Sequence, residues 1–135
     1  MKGLVELKAA LDEFNKNYPR PNMPELEISD VYDLDKDWTN SYPNATLPGI
    51  YVFISEEGEL LYIGKVSRKN VLGRRLSAYF GHDDKGSWKL HKPDEWEPYG
   101  ELRYIVTIPL PVDRSFEAPA IEEYLITKLN PKAGG

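Results

Sequence analysis

Five side chains in this sequence could do chemistry together: three phenols, a guanidinium and a carboxylate. Tyr51 and Tyr62 fall in two short runs rich in β-branched and aromatic residues, separated by Ser55-Glu56-Glu57-Gly58. Arg75 and Tyr79 are four residues apart, on one flank of a helical pattern, and so point together. Glu122 sits beside Ile121, at the edge of the apolar stripe of a later helical segment. Between Leu60 and His82 there are five basic residues (Lys65, Arg68, Lys69, Arg74 and Arg75) and no acidic one. The whole chain has a net charge of -5, so the remainder carries -5 - 5 = -10. A local basic patch on an acidic protein suggests a defined anionic ligand site, not a general coating of polyanions. The same residues read more simply as a solvated helix face, an aromatic cross-strand pair and an arginine with a snorkelling stem.

The elements that must position these groups can be read in order. Leu4, Leu7, Leu11 and Phe14 recur at helical spacing, which predicts a helix over 3–16 that Pro19 ends. Residues 25–46 form an acidic connector, with Val31, Leu34 and Trp38 tucked inward. Asp33, Asp35 and Asp37 alternate like the opening of a calcium loop. Trp38 stands where that loop needs glycine, and Asn44 where it needs its closing glutamate. Strands are predicted over 49–54 and 60–64, joined by a type I turn that Gly58 closes at positive φ. That register places Tyr51 directly opposite Tyr62. A helix follows over 70–80, with Leu72, Leu76 and Phe80 as its stripe. Residues 81–100 read as a loop in which Lys85, Trp88, Lys89, His91 and Lys92 interleave, a mixture able to stack on bases and touch phosphates. A third strand over 101–109 presents Leu102, Tyr104, Val106 and Ile108 on one face. The last helix, 116–129, takes Ser115 as its N-cap and carries Pro119 in its first turn.

Composition bounds the alternatives. A chain of 135 residues suits one modest core. It has no cysteine and only two histidines, which argues against thiolate or imidazole metal sites. No apolar run reaches the ~18 residues a bilayer span needs. The expectation is a cytoplasmic protein with no membrane partner.

With these residues laid out, the chain resembles the GIY-YIG nuclease family. Gly49-Ile50-Tyr51 is followed, ten residues on, by Tyr62-Ile63-Gly64. The helix LGRRLSAYF is close to the form found in the incision subunit of bacterial nucleotide excision repair. EAPAIEEYLITKLNP resembles the family's helix that carries a metal-binding glutamate. The resemblance covers roughly 47–132 and leaves 1–46, the N-terminal helix and acidic connector, outside it. It implies an α+β fold: a three-stranded antiparallel sheet flanked by helices, with an extra N-terminal helix.

The resemblance also assigns roles. Tyr51 would contact the attacking water, with Tyr62 its partner tyrosine; Arg75 is the matching arginine, Tyr79 a further site tyrosine, and Lys65 a lysine seen in the repair-subunit branch. Glu122 would be the ligand of one Mg²⁺ or Mn²⁺ ion. Arg68, Lys69 and Arg74 extend the nucleic-acid-binding surface. Two departures stand out: the loop through 66–70 is longer than in the repair subunit, and Gly134 stands near the place of a common asparagine.

The implied activity is metal-dependent endonuclease cleavage of DNA, by nicking or directed by substrate structure, with RNA a further possible substrate. Arginine would neutralise the phosphate, the metal the departing oxygen, and a phenol would serve as base. Arg75, Lys65 and the metal are expected to favour phenolate, or at least a polarised phenol. Confinement of positive charge to one patch predicts weak intrinsic affinity and a need for a partner protein that supplies specificity, a distorted substrate or an appended domain. The alternatives are an inactive nucleic-acid-binding module of the same fold, or a protein-interaction domain acting through its N-terminal segment.

Overall fold

The computed structural model describes residues 1–135. Its elements are α1 (Lys2–Asn17), β1 (Tyr32–Asp33), α2 (Leu34–Asp37), β2 (Gly49–Ser55), β3 (Leu60–Val66), α3 (Leu72–Ser77), β4 (Phe80–His82), β5 (Trp88–Leu90), β6 (Leu102–Pro109) and α4 (Ala118–Leu129). The segment GIYVFIS is almost wholly apolar, the pattern of a strand covered on both faces. It forms β2, at the centre of the sheet, and every residue in it is buried. The sheet is antiparallel, in the order β1-β6-β2-β3.

Alternation along β2 sends its side chains into two cores. Ile50, Val52 and Ile54 join Ile63, Val106 and Ile108 under α1 and α4, which contribute Leu7, Leu11, Phe14, Ile121 and Leu125. Tyr51 and Phe53 join Leu61 and Ile105 on the other face, beneath Leu72, Leu76, Phe80 and Trp96. A fully buried Leu or Phe contributes about 1.5–3 kcal/mol, so α1 is a layer of the core. No helix is long and apolar enough to cross a membrane.

The structure corrects several expectations. The sheet has four strands, not three, because the two-residue β1 pairs with β6 through Tyr32↔Ile105 and Asp33↔Tyr104. Tyr51 faces Gly64 and not Tyr62, which lies opposite Phe53. Two extra residues on the β3 side explain the shift. Gly58, at φ 86°, closes the turn as a bulge, and Ser55 N–H then meets the Glu59 carbonyl at 2.9 Å. A second bulge between Phe53 and Ile54 leaves Leu61 without a partner, so Leu61 and Tyr62 pack on the same face. Another irregularity, between Ile54 and Ser55, turns Leu102 away from the face of Val106 and Ile108.

Helix α3 stops at Ser77, short of Phe80. Phe80 is a strand residue, paired with Leu90 in a separate two-stranded ribbon, β4–β5, where a loop was expected. Helix α4 starts at Ala118, after a 3-10 segment (Val112–Glu117), and no side chain caps it, so Ser115 is not its N-cap.

The acidic connector is tied down by Arg103, which reaches Asp33 (3.3 Å), Asp35 (3.6 Å) and Glu56 (3.2 Å). Burial would raise the pKa of Asp33, but the Arg103 hydrogen bond and charge hold it below the usual carboxylate range. Asp33 also accepts from Asp35 N–H at the start of α2. The alternating aspartates therefore serve a cap and an ion-pair network. Beyond α4 the chain runs along the outer edge of β3. Lys132 N–H donates to the Leu60 carbonyl, Ala133 N–H to that of Leu61, and Ile63 N–H to that of Gly134.

Candidate active site

The signature glycines are explained by what lies beside them. Gly49 adopts φ 148° with its Cα against the Ile108 carbonyl, so a Cβ there would strike backbone. Gly64 leaves room for the Tyr51 ring, which a Cβ would meet at Cζ and the hydroxyl. The register shift thus gives the second tripeptide its function: its glycine is the floor on which the first tripeptide's tyrosine lies. Gly64→Ala is expected to cost about 1–3 kcal/mol through overpacking and to move the Tyr51 hydroxyl. A thermal melt checks the first effect, and loss of the short Tyr51–Tyr79 contact in a crystal structure checks the second.

Around that ring the phenols form a chain. The hydroxyls of Tyr51 and Tyr79 are 2.7 Å apart, and Arg75 Nε donates to the Tyr51 hydroxyl at 3.3 Å. The Arg75 guanidinium carbon lies 6.0 Å from the Tyr79 ring centroid. Tyr62 lies 6.1 Å from Tyr51, centroid to centroid. Arg75 and Tyr79 meet at the site although α3 ends between them, because the turn after Ser77 carries Tyr79 back over the sheet.

Exposure divides the phenols. Tyr51 is 0% exposed, whereas Tyr62 and Tyr79 are half-buried. Burial raises all three above the ordinary phenol range. For Tyr51 the hydrogen bonds from Tyr79 and Arg75 oppose that rise. For Tyr62 the neighbouring Tyr79 and the charge of Glu122 add to it. For Tyr79 the hydrogen bond to Tyr51 adds to it. In this structure burial therefore outweighs the expected pull of Arg75 toward phenolate.

Glu122, on α4, is half-buried, and its carboxylate forms no ion pair or hydrogen bond within the protein. Burial raises its pKa, while the charges of Lys65 and Arg75 pull it down. Together with its effect on Tyr62, this ties the carboxylate electrostatically to the phenol cluster. Glu122 also lines a depression of about 470 Å³ with Pro119, Ile126 and Thr127. No group of three or more acids or imidazoles is present that could by itself hold a metal.

Lys65, on β3, is exposed, as are Arg68 and Lys69 in the turn after it and Arg74 on α3. None of the four pairs with a carboxylate. Arg68, Lys69 and Arg74 make no hydrogen bond to the phenols. Arg68 holds a positive φ of 59°, uncommon for a residue with a side chain.

Sequence reasoning passed over Phe53, whose ring contacts those of Tyr51, Tyr62, Tyr79, Phe80 and Trp96. Its position two residues after Tyr51 on a strand was the available signal, since such residues share a face. The largest hollow, about 1140 Å³, lies elsewhere, between the end of α1 and α4, beside Phe14, Tyr18, Arg20, Glu117 and Tyr124.

The fold and this cluster define an α+β protein whose antiparallel sheet gathers phenols and a guanidinium, with the charge of the α4 carboxylate Glu122 reaching Tyr62. No family model matches the chain. It is similar to UvrABC system protein C of Methanococcus maripaludis, 39% identical over 88 residues, which is 63% of this chain and 14% of that protein. It is also similar to UvrABC system protein C of Caldanaerobacter subterraneus subsp. tengcongensis, 36% identical over 89 residues, 63% of this chain and 12% of that one. The chain thus spans about one-seventh or less of the length of the curated relatives it matches.

Proposed function

We propose that this protein is a GIY-YIG-type endonuclease that hydrolyses phosphodiester bonds in DNA, in a DNA-repair setting like that of the UvrABC proteins it resembles. The observation that carries the reading is the meeting of the Tyr51, Tyr79 and Arg75 side chains from β2 and the α3 region.

Each residue has a physical task. Arg75 presents a fixed charge and planar donors to the scissile phosphate. Its Nε is already oriented by Tyr51, so little reorganisation is needed as charge develops. The resemblance gives contact with the attacking water to Tyr51. Its complete burial favours Tyr62 for that contact, because Tyr62 is partly open to solvent. Tyr51 and Tyr79 then position Arg75 and fix the phenol array. Lys65 neutralises a flanking phosphate, and Arg68, Lys69 and Arg74 attract the backbone beyond it.

Glu122 would hold one Mg²⁺ or Mn²⁺ ion. The fit rests on a carboxylate without a protein partner, beside an open depression that Glu123 also lines. A hard divalent ion that keeps most of its waters needs no more. When bound, it would neutralise charge on the phosphate and the departing oxygen.

The test is a cleavage panel of duplex, flap, branched and single-stranded DNA and of RNA, with Mn²⁺ or Mg²⁺ and with chelator. Divalent-dependent DNA cleavage is expected, and Arg75→Ala should slow it about 10²-fold. Absence of cleavage on every substrate, or an unchanged rate in Arg75→Ala, would reject the reading. Weak intrinsic affinity is part of the proposal, with specificity supplied by a partner protein or a distorted substrate.

A further inference from the structure

The ribbon β4–β5 begins one residue after Tyr79 and stands outside the main sheet. Its turn is held firmly. Asp83 Oδ1 accepts from the N–H groups of Lys85 and Ser87, both at 2.9 Å, and Asp83 N–H donates to the Ser87 carbonyl at 2.8 Å. One face of the ribbon packs inward. Phe80 is buried, the Trp88 ring meets that of Phe80 at 6.1 Å, and Trp88 Nε1 donates to Asp35 at 2.7 Å.

The other face is built differently. Gly81 pairs with Lys89, and His91 N–H donates to the Tyr79 carbonyl at 2.9 Å, so Tyr79 stands opposite His91. Gly81 has no side chain, and the His91 ring lies against it: a Cβ on Gly81 would come 2.7 Å from His91 Cε1. Lys89, His91 and Lys92 are exposed, and none forms an ion pair. Cross-strand neighbours share a face. This one therefore runs from Tyr79 onto a supported ring with the free ammonium group of Lys89 on the same face and that of Lys92 next in the chain.

The geometry points to the outer face of the ribbon as a docking strip for the nucleic-acid strand leaving the scissile phosphate. The inference rests on the nuclease reading above. Lys89 and Lys92 bind successive phosphates, and the His91 ring, backed by Gly81, offers a plane for a base. The match is one of charge and shape: Lys89 and Lys92 are free of ion pairs, the acids Asp94, Glu95 and Glu97 come only after the strip, and the strip and the Lys65–Arg75 patch flank Tyr79 along the chain.

The experiment measures binding of the full chain to labelled single-stranded DNA and to duplex with a single-stranded overhang. It is done in chelator, so that nothing is cut, across a salt series. Lys89→Ala/His91→Ala is compared with the parent and with Lys8→Ala on α1 as a control for general charge loss. The double variant should bind about tenfold more weakly and lower the slope of log K against log salt by about 1. Lys8→Ala should change neither. Gly81→Ala, which displaces the ring but keeps both lysines, should weaken binding with the slope unchanged. A thermal melt of each variant shows whether the ribbon stays folded, and Lys92→Ser, at an exposed site outside the strands, repeats the slope measurement if the double variant melts early. If the parent binds and cleaves while these variants match it, the docking strip is wrong and the nuclease reading stands. If the parent neither binds nor cleaves any nucleic acid, both fall.

Discussion

Glu122→Gln is expected to reduce divalent-dependent cleavage by at least ~10³-fold while leaving the melting temperature nearly unchanged. The size follows from the charge stabilisation a bound divalent ion provides, several kcal/mol, at about 1.4 kcal/mol per tenfold. Preservation of the fold follows from the setting. Glu122 lies beside the buried stripe of α4, its carboxylate makes no hydrogen bond within the protein, and it is isosteric with glutamine. The parent is expected to gain melting temperature with Mn²⁺ and the variant to lose that gain, a readout independent of turnover. A variant that still cleaves at the parental rate would remove Glu122 from the metal site.

Tyr62→Phe is expected to cost about 10²–10³-fold in kcat, the range of general-base catalysis, and more than Tyr51→Phe costs. The ranking separates contact with the attacking water from support of Arg75. The pH profile adds a second readout. Burial holds Tyr62 neutral above the ordinary phenol range, and the charge of Glu122 reinforces this. The fraction of phenolate then grows tenfold per pH unit, so the parental rate should keep climbing between about pH 6 and 9. The residual rate of Tyr62→Phe should lack that slope, whereas Tyr51→Phe should keep it. The same burial acts on stability. Tyr51, Tyr62 and Tyr79 have folded pKa values above the unfolded value of about 10. Their contribution is therefore complete below about pH 10 and is lost as pH rises through the folded values. Equal damage from the two substitutions, with both slopes intact, would return the role of base to neither phenol.

Much of this architecture is written in the residues. The apolar run of β2, the turn closed by Gly58 and the stripe of α4 follow from period and turn chemistry. What escaped were features shorter than any period. The two residues of β1 are too few to alternate, and they pair only because Arg103 gathers Asp33 and Asp35 beside β6. A bulge shifts a strand by one residue without altering its composition, and two of them moved Tyr62 away from Tyr51. The stripe Leu72, Leu76, Phe80 is buried as a helix would bury it, yet Phe80 belongs to a strand because Leu90 is there to pair with it. At the site, residue types came from the resemblance and their order along the chain. Burial of Tyr51 could not be read there, since it depends on Gly64 lying beneath the ring.

The pairing of Lys132, Ala133 and Gly134 along β3 has a consequence for how molecules of this protein behave in company. An open strand edge invites a second molecule to extend the sheet, the first step toward aggregates. Here the long edge is hemmed by the chain's own tail, and the opposite one ends in a strand of two residues, too short a template to recruit another copy. The molecule is thereby guarded against self-association along both margins of its sheet.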